Sequence, residues 1–155
     1  MKPQSTLCFL ALVLAVTAGA GCKKHIKTPD DFAEMDDPGY DFEYRAISSD
    51  EIVLGVQKRP NEPKGDVGFW AKVWKEKYPP IKDYTFVDKE TLTTNGGLKG
   101  SLLTFTSEEK DGLYRLMIGL FVVKKTIWIL SAGGKDEVLQ DEADTVTKAF
   151  KTFKP

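Results

Sequence analysis

The chain has 155 residues, 22 lysines and arginines against 23 aspartates and glutamates, and 41% hydrophobic residues. Near-neutral charge argues against a nucleic-acid partner, which asks for a basic stripe, and the length and apolar content suit one domain with one core. One histidine and two cysteines are present. His25, Cys8 and Cys22 all precede the region of strand and helix periodicity, which removes Ser-His-Asp and Cys-His catalysis and a His/Cys zinc site from the folded part.

Met1-Lys2 opens the chain, Leu7 to Val16 is apolar, and Thr17-Ala18-Gly19-Ala20-Gly21-Cys22 is a small-residue exit. This is the pattern of a secretory signal peptide over residues 1–21, and the apolar run is too short to span a bilayer. The exit resembles the lipobox of bacterial lipoproteins, in which the cysteine thiol is acylated and the chain is cut just before it. The common lipobox has Leu where this chain has Gly19, and Ala18-Gly19-Ala20 also fits ordinary A-x-A cleavage, releasing a chain that starts at Gly21. That route leaves Cys22 as one free thiol in an oxidising compartment, whereas acylation uses it. Two or more acyl chains anchor a protein firmly. The resemblance implies a membrane partner through lipidated Cys22. Lys23 in place of Asp after the cysteine implies the periplasmic face of the outer membrane.

Cleavage removes only Lys2 from the charged residues, leaving 21 basic against 23 acidic side chains. No disulfide is available to the mature chain, so burial alone must hold the fold. Residues 22–39 read as the lipidated cysteine and a flexible tether, because Lys23, Lys24, Lys27, Asp30, Asp31, Glu34, Asp36 and Asp37 outnumber the large apolar residues. Lys23-Lys24-His25 is either placed against anionic headgroups or a solvated spacer. Asp30, Asp31, Asp36 and Asp37 lack the spacing and central Gly of a calcium loop, and no metal is predicted.

The domain is predicted over residues 40–155. Phe42 to Ile47 alternates apolar and polar as a half-buried strand does, and Glu51 to Gln57 follows as a second strand. Pro60 to Gly65 is a loop, and Asp66 is an N-cap. Val67, Trp70, Val73, Trp74 and Tyr78 recur at helical spacing until Pro79-Pro80, which is expected to end the helix. Four strands follow. Tyr84 to Val87 begins the first, which runs towards Leu92. Asn95-Gly96 turns the chain with two positive φ values into Leu98 to Thr106. Lys110-Asp111-Gly112 leads to Leu113–Val123, and Lys124-Lys125 to Thr126–Ala132. Gly133-Gly134 is expected to break that last strand. Residues 135 to 153 place Val138 or Leu139, with Ala143, Val146, Phe150 and Phe153, on one helical stripe.

In Leu113–Val123, Tyr114, Leu116, Ile118 and Leu120 point one way, and Met117 and Phe121 the other. A sheet open to water on one side alternates apolar with polar residues, so this sheet is expected to be covered on both faces. The predicted class is α+β: a three-layer α/β/α sandwich with a mostly antiparallel six-stranded central sheet and one helix on each face.

This order, with Tyr40-Asp41-Phe42, Phe69-Trp70-Ala71, Gly97 to Leu102, Asp111 to Tyr114 and Ala132-Gly133-Gly134, resembles the PsbP-like fold, and among its members the bacterial lipoproteins of the DcrB type. The resemblance covers about residues 40–154. It implies an adaptor or assembly module without catalytic residues or cofactor, acting on a protein partner.

The inventory of reactive groups agrees. Asn95 to Gly100 is glycine-rich but joins two strands, without the strand-to-helix context of a phosphate loop. Glu108, Glu109 and Asp111 sit on a hairpin tip, where no cleft raises a carboxyl pKa as general acid catalysis needs. Phe69, Trp70, Trp74 and Trp128 are read as core. The expected function is a membrane-anchored periplasmic module that binds. The alternative is a secreted protein that holds a small molecule, or performs carboxylate-dependent hydrolysis, in a pocket between helix and sheet.

Overall fold

The computed structural model describes residues 25–155, apart from the side chains of residues 80–82. The leader and Cys22 lie outside the described residues. Seven strands are β1 (Phe32–Glu34), β2 (Tyr44–Ser48), β3 (Val53–Pro60), β4 (Thr85–Thr93), β5 (Lys99–Glu109), β6 (Gly112–Val123) and β7 (Thr126–Lys135). The helices are α1 (Val67–Lys82), α2 (Asp136–Asp141) and α3 (Ala143–Lys151). The strands form one sheet in the order β1-β2-β3-β7-β6-β5-β4, with every neighbouring pair antiparallel.

Alternation along β6 divides the apolar residues into two cores. Leu116, Ile118 and Leu120 join Leu103, Phe105, Ile127 and Ile129 beneath Ala71, Trp70 and Trp74 of α1. Met117 and Phe121 join Leu54, Val56, Leu130 and Ala132 beneath Leu139 of α2 and Val146 and Phe150 of α3. Gly119 lies between Met117 and Phe121, and a Cβ there would stand 3.3 Å from the Phe150 ring and 3.2 Å from Leu92. Its missing side chain lets α3 come close to the sheet. Tyr114 stands outside the α1 cluster, and its hydroxyl donates to Asp111 at 3.1 Å.

Four sequence expectations need correction. The sheet has seven strands, not six, because β1 lies inside the supposed tether. Ile26 and Phe32 are 2% and 8% exposed, and Phe32 pairs with Ser48. Average composition concealed the two apolar residues that bind this segment to the core, so the folded part begins by residue 25. The second helical layer is two helices parted at Glu142, not one. The bonds Glu142 N to Val138 O at 3.1 Å and Val146 N to Glu142 O at 3.0 Å carry the i→i−4 pattern across the break, which keeps the stripe continuous. α1 runs past Pro79-Pro80 and stops at Asp83, whose φ is 55°. Proline lacks a donor but keeps helical φ, so a final turn tolerates it. Gly133-Gly134 continues β7 beside Val53 and Leu116.

Turn chemistry was also redistributed. In the β4–β5 connection the positive φ belongs to Gly97, at 84°, not to Asn95 and Gly96. Gly97 N donates to Thr94 O, and the Thr94 hydroxyl accepts from Leu98 N at 3.0 Å. Asp66 caps α1 as expected, accepting from Phe69 N at 2.7 Å.

Ile26→Ala is expected to lower stability by about 2–4 kcal/mol in urea unfolding, the effect of truncating a buried aliphatic side chain. A change within about 0.5 kcal/mol, typical of a solvated position, would return residues 25–34 to the status of a spacer.

Candidate functional site

His25 is the first described residue and it is built into the fold. Its ring packs 4.7 Å from the Trp128 ring on β7 and 6.4 Å from Phe153 beyond α3. Nδ1 donates to the Lys154 carbonyl oxygen at 3.0 Å. The Lys154 amide donates back to the His25 carbonyl at 2.8 Å. A carbonyl can only accept, so the Nδ1–H tautomer is the one this bond selects. Lys27 N then donates to the Thr152 hydroxyl at 2.7 Å. The two ends of the domain are thus pinned together across the same face. Tyr44 completes the clamp by donating to Thr28 at 2.9 Å, and burial raises its hydroxyl pKa above the ordinary phenol value.

Four surface grooves lie among the described residues, and the one beside the clamp itself, of about 410 Å³, is lined by Ile26, Lys27, Asn95, Thr152 and Lys154. Of the other three, the first, of about 480 Å³, runs between Lys27–Asp31 and α3, with Asn95, Lys148 and Lys151 on its rim. A second, of about 510 Å³, lies on the opposite face, between α1 and strands β3 and β7, lined by Trp70, Trp74, Ile127, Ile129 and Arg59. Trp70 and Trp74 therefore do two things: they pack on the α1 core and they line a groove. Trp70 is oriented by Asn61, whose Oδ1 accepts from Trp70 Nε1 at 2.7 Å and from Gly65 N at 3.0 Å, while Nδ2 donates to Gly65 O at 3.0 Å. Asn61 is 6% exposed, and the sequence offered only its loop composition as a signal. Phe69 is exposed and meets Trp70 edge-on. Trp128 faces the other side of the sheet and is core, as read from the sequence.

The third groove, of about 380 Å³, holds Arg115 with Asp88, Glu90 and Asp144. Arg115 Nε donates to Asp136 at 2.7 Å, and Gln140 Nε2 donates to the other Asp136 oxygen at 2.6 Å. Both oxygens of the buried carboxylate are engaged, so Asp136 works as a structural ion pair between β6 and α2. Asp88, Glu90 and Asp144 are exposed. Glu108, Glu109 and Asp111 stand exposed at the β5–β6 turn, where Ser107 donates to Glu109 at 3.4 Å. The Tyr114 hydroxyl is held above its ordinary pKa by its bond to Asp111, then by burial and by the charges of Asp111, Glu51 and Glu109. Asp30 and Asp31 border the first groove, and Asp37 accepts from Gly39 N at 2.9 Å. Among the described residues no group of three or more His, Cys, Asp and Glu is arranged to hold a metal ion.

No protein-family model and no curated protein matches the chain. Solved structures do. The cyanobacterial PsbP of Synechocystis superposes with a TM-score of 0.59 at 9% identity, over 82% of this chain and 83% of that one. The chain has a PsbP-like fold. LpqN of Mycobacterium tuberculosis, described as involved in cell envelope biogenesis, shares the PsbP-like architecture with a TM-score of 0.56 at 17% identity, over 83% of this chain and 78% of that one. PA94 of Pseudomonas aeruginosa, described as a putative regulator of unknown function, matches at 0.53 and 12% identity, over 83% and 85%. At these identities the likeness extends to the fold alone.

Asn61→Ala is expected to lose about 1–3 kcal/mol, because it leaves the Gly65 amide and Trp70 indole without their acceptor. Replacing Glu108, Glu109 and Asp111 together by Ala is expected to change stability by well under about 1 kcal/mol. Urea midpoints measured on both variants check this contrast.

Proposed function

We propose that this protein is a lipid-anchored module of the bacterial cell envelope that acts by binding a protein partner and not by catalysis. The observation that carries the binding reading is the use to which its buried polar side chains are put. His25 holds Lys154, Asn61 holds Gly65 and Trp70, and Asp136 holds Arg115 and Gln140. A general acid or base needs a free position on the reacting atom, and both oxygens of Asp136 and the Nδ1 of His25 are committed to structure. The envelope location is supported by the leader ending at Cys22 and by the shared fold of LpqN. The DcrB-type lipoprotein class and an outer-membrane address, with Lys23 following the cysteine, belong to the same reading. The groove between Trp70 and Ile129 supports a second reading, capture of an apolar small molecule.

The test is fractionation of a Gram-negative host expressing the chain. Wild type is expected with the membranes, and Cys22→Ser in the soluble fraction. An intact mass matching an unmodified chain that starts at Gly21 contradicts the anchor. Turnover of a glycan or ester that disappears in a buried-carboxylate variant such as Asp136→Asn contradicts the binding reading.

A further inference from the structure

The near-neutral net charge conceals a separation of charge along the strands. One end of the sheet gathers the β4–β5 turn, the β6–β7 turn, the end of β3 and the tail after α3. Thr93 pairs with Lys99, and Pro60 and Val123 both pair with Thr126. Asn95 N donates to Lys151 O at 2.7 Å, and Asn61 N donates to Lys125 O at 2.9 Å. His25 joins this end through Lys154 and Trp128. Lys27, Lys99, Lys124, Lys125, Lys151 and Lys154 stand exposed here. The ion pairs among the described residues take their cations from Lys58, Arg59, Lys72 and Arg115, not from these six. Nearby Glu43 and Asp41 already pair with Lys58 and Arg59, Asp66 caps α1, Glu62 is exposed in the loop between β3 and α1, and exposed Asp30 and Asp31 border the first groove together with Lys27, Lys148 and Lys151.

The opposite end gathers the β2–β3 and β5–β6 turns and the start of α2. Asp50, Glu51, Glu108, Glu109, Asp111 and Glu137 are exposed there, against Lys110 and Lys135. Glu109 pairs with Gly112 across the β5–β6 turn, and Asp111 in that turn accepts from the Tyr114 hydroxyl at 3.1 Å, which places these acids together. β6 has 12 residues, and at about 3.3 Å per residue it separates the two ends by roughly 40 Å. That is several Debye lengths at physiological salt, so each end meets its surroundings with its own charge.

We propose that the lysine-bearing end docks on an anionic phospholipid bilayer, with the strands standing off the surface and the acidic end turned away from it towards the partner. The proposal rests on the anchored reading for its orientation. Two residues, Lys23 and Lys24, separate His25 from Cys22, and the three Cα–Cα steps between them reach about 11 Å at most. An acylated Cys22 therefore brings this end, and not the acidic one, to the bilayer. Basic side chains beside an acyl anchor add electrostatic attraction to the hydrophobic one.

The test uses the mature chain carrying Cys22→Ser, so that no acyl group contributes, in sedimentation with vesicles of phosphatidylglycerol and phosphatidylcholine or of phosphatidylcholine alone. The chain is expected to bind the anionic vesicles, to ignore the neutral ones and to be released by high salt. Lys124→Gln/Lys125→Gln/Lys151→Gln/Lys154→Gln is expected to weaken binding tenfold or more, by an order-of-magnitude reckoning for four surface lysines, with an unchanged circular dichroism spectrum. Lys110→Gln/Lys135→Gln, at the other end, is expected to bind as the parent does. Equal loss in the two variants overturns the proposal. So does failure of a natively folded chain to prefer anionic vesicles, which leaves an acidic protein as the occupant of the lysine end. Neither result depends on acylation, which the fractionation of wild type judges separately.

Discussion

β6 carries Leu116, Ile118 and Leu120 towards α1 and Met117 and Phe121 towards α2 and α3, and the other elements are placed by the need to cover both sets. Phe105, Leu120, Phe121 and Phe150 are fully buried. Burying side chains of that size contributes about 1.5–3 kcal/mol each, so neither face can be left to water. β7 between β3 and β6 has the same requirement. α1 follows β3 and returns over one face to β4; α2 follows β7 directly and folds back over the other. The Arg115–Asp136 pair ties the start of α2 to β6 at the point where that reversal happens.

The core under α2 and α3 extends beyond the helices. Its outer part is closed by Ile26, Phe32 and Tyr44, and that is why the N-terminal segment is part of the fold. His25 caps the arrangement by packing against the Trp128 ring and near Phe153. An N-terminal segment held this way changes the mechanical character of a membrane anchor. A long flexible tether would let a domain tumble above the bilayer. Under the proposed acylation of Cys22, a domain gripped from His25 onwards would present one end to the bilayer, the end with the exposed Lys124, Lys125, Lys151 and Lys154.

The parts of this fold that are legible in the sequence are those with strong local periodicity. β5, β6 and β7 alternate over ten or more residues, the N-cap Asp66 precedes an amphipathic helix, and the apolar content of β6 on both sides predicts two covering layers. What was not legible is non-local. β1 has three residues and one apolar anchor, Phe32, too little for a periodic signal. The bond from His25 to Lys154 joins residues 129 apart, so charge-rich composition spoke louder than its partner. Asn61 gains its role only when Gly65 and Trp70 fold around it. Glu108, Glu109 and Asp111 stand at the hairpin tip expected for them, the first two ending β5 and Asp111 in the turn, because Lys110-Asp111-Gly112 is local turn chemistry. Cys22 lies outside the described residues, and its role rests on the leader pattern.

The chain is gripped from His25 onwards by hydrogen bonds between residues 25–27 and residues 152–154. Amide hydrogen exchange on the mature chain tests this directly, at Lys154 N–H, which donates to His25 O, and at Lys27 N–H, which donates to Thr152. Both amides are expected to exchange at least on the order of a hundredfold more slowly than in an unstructured peptide, as bonds within a cooperative unit do. Exchange of both at the peptide rate, beside protected amides in β6 and β7, would contradict the clamp.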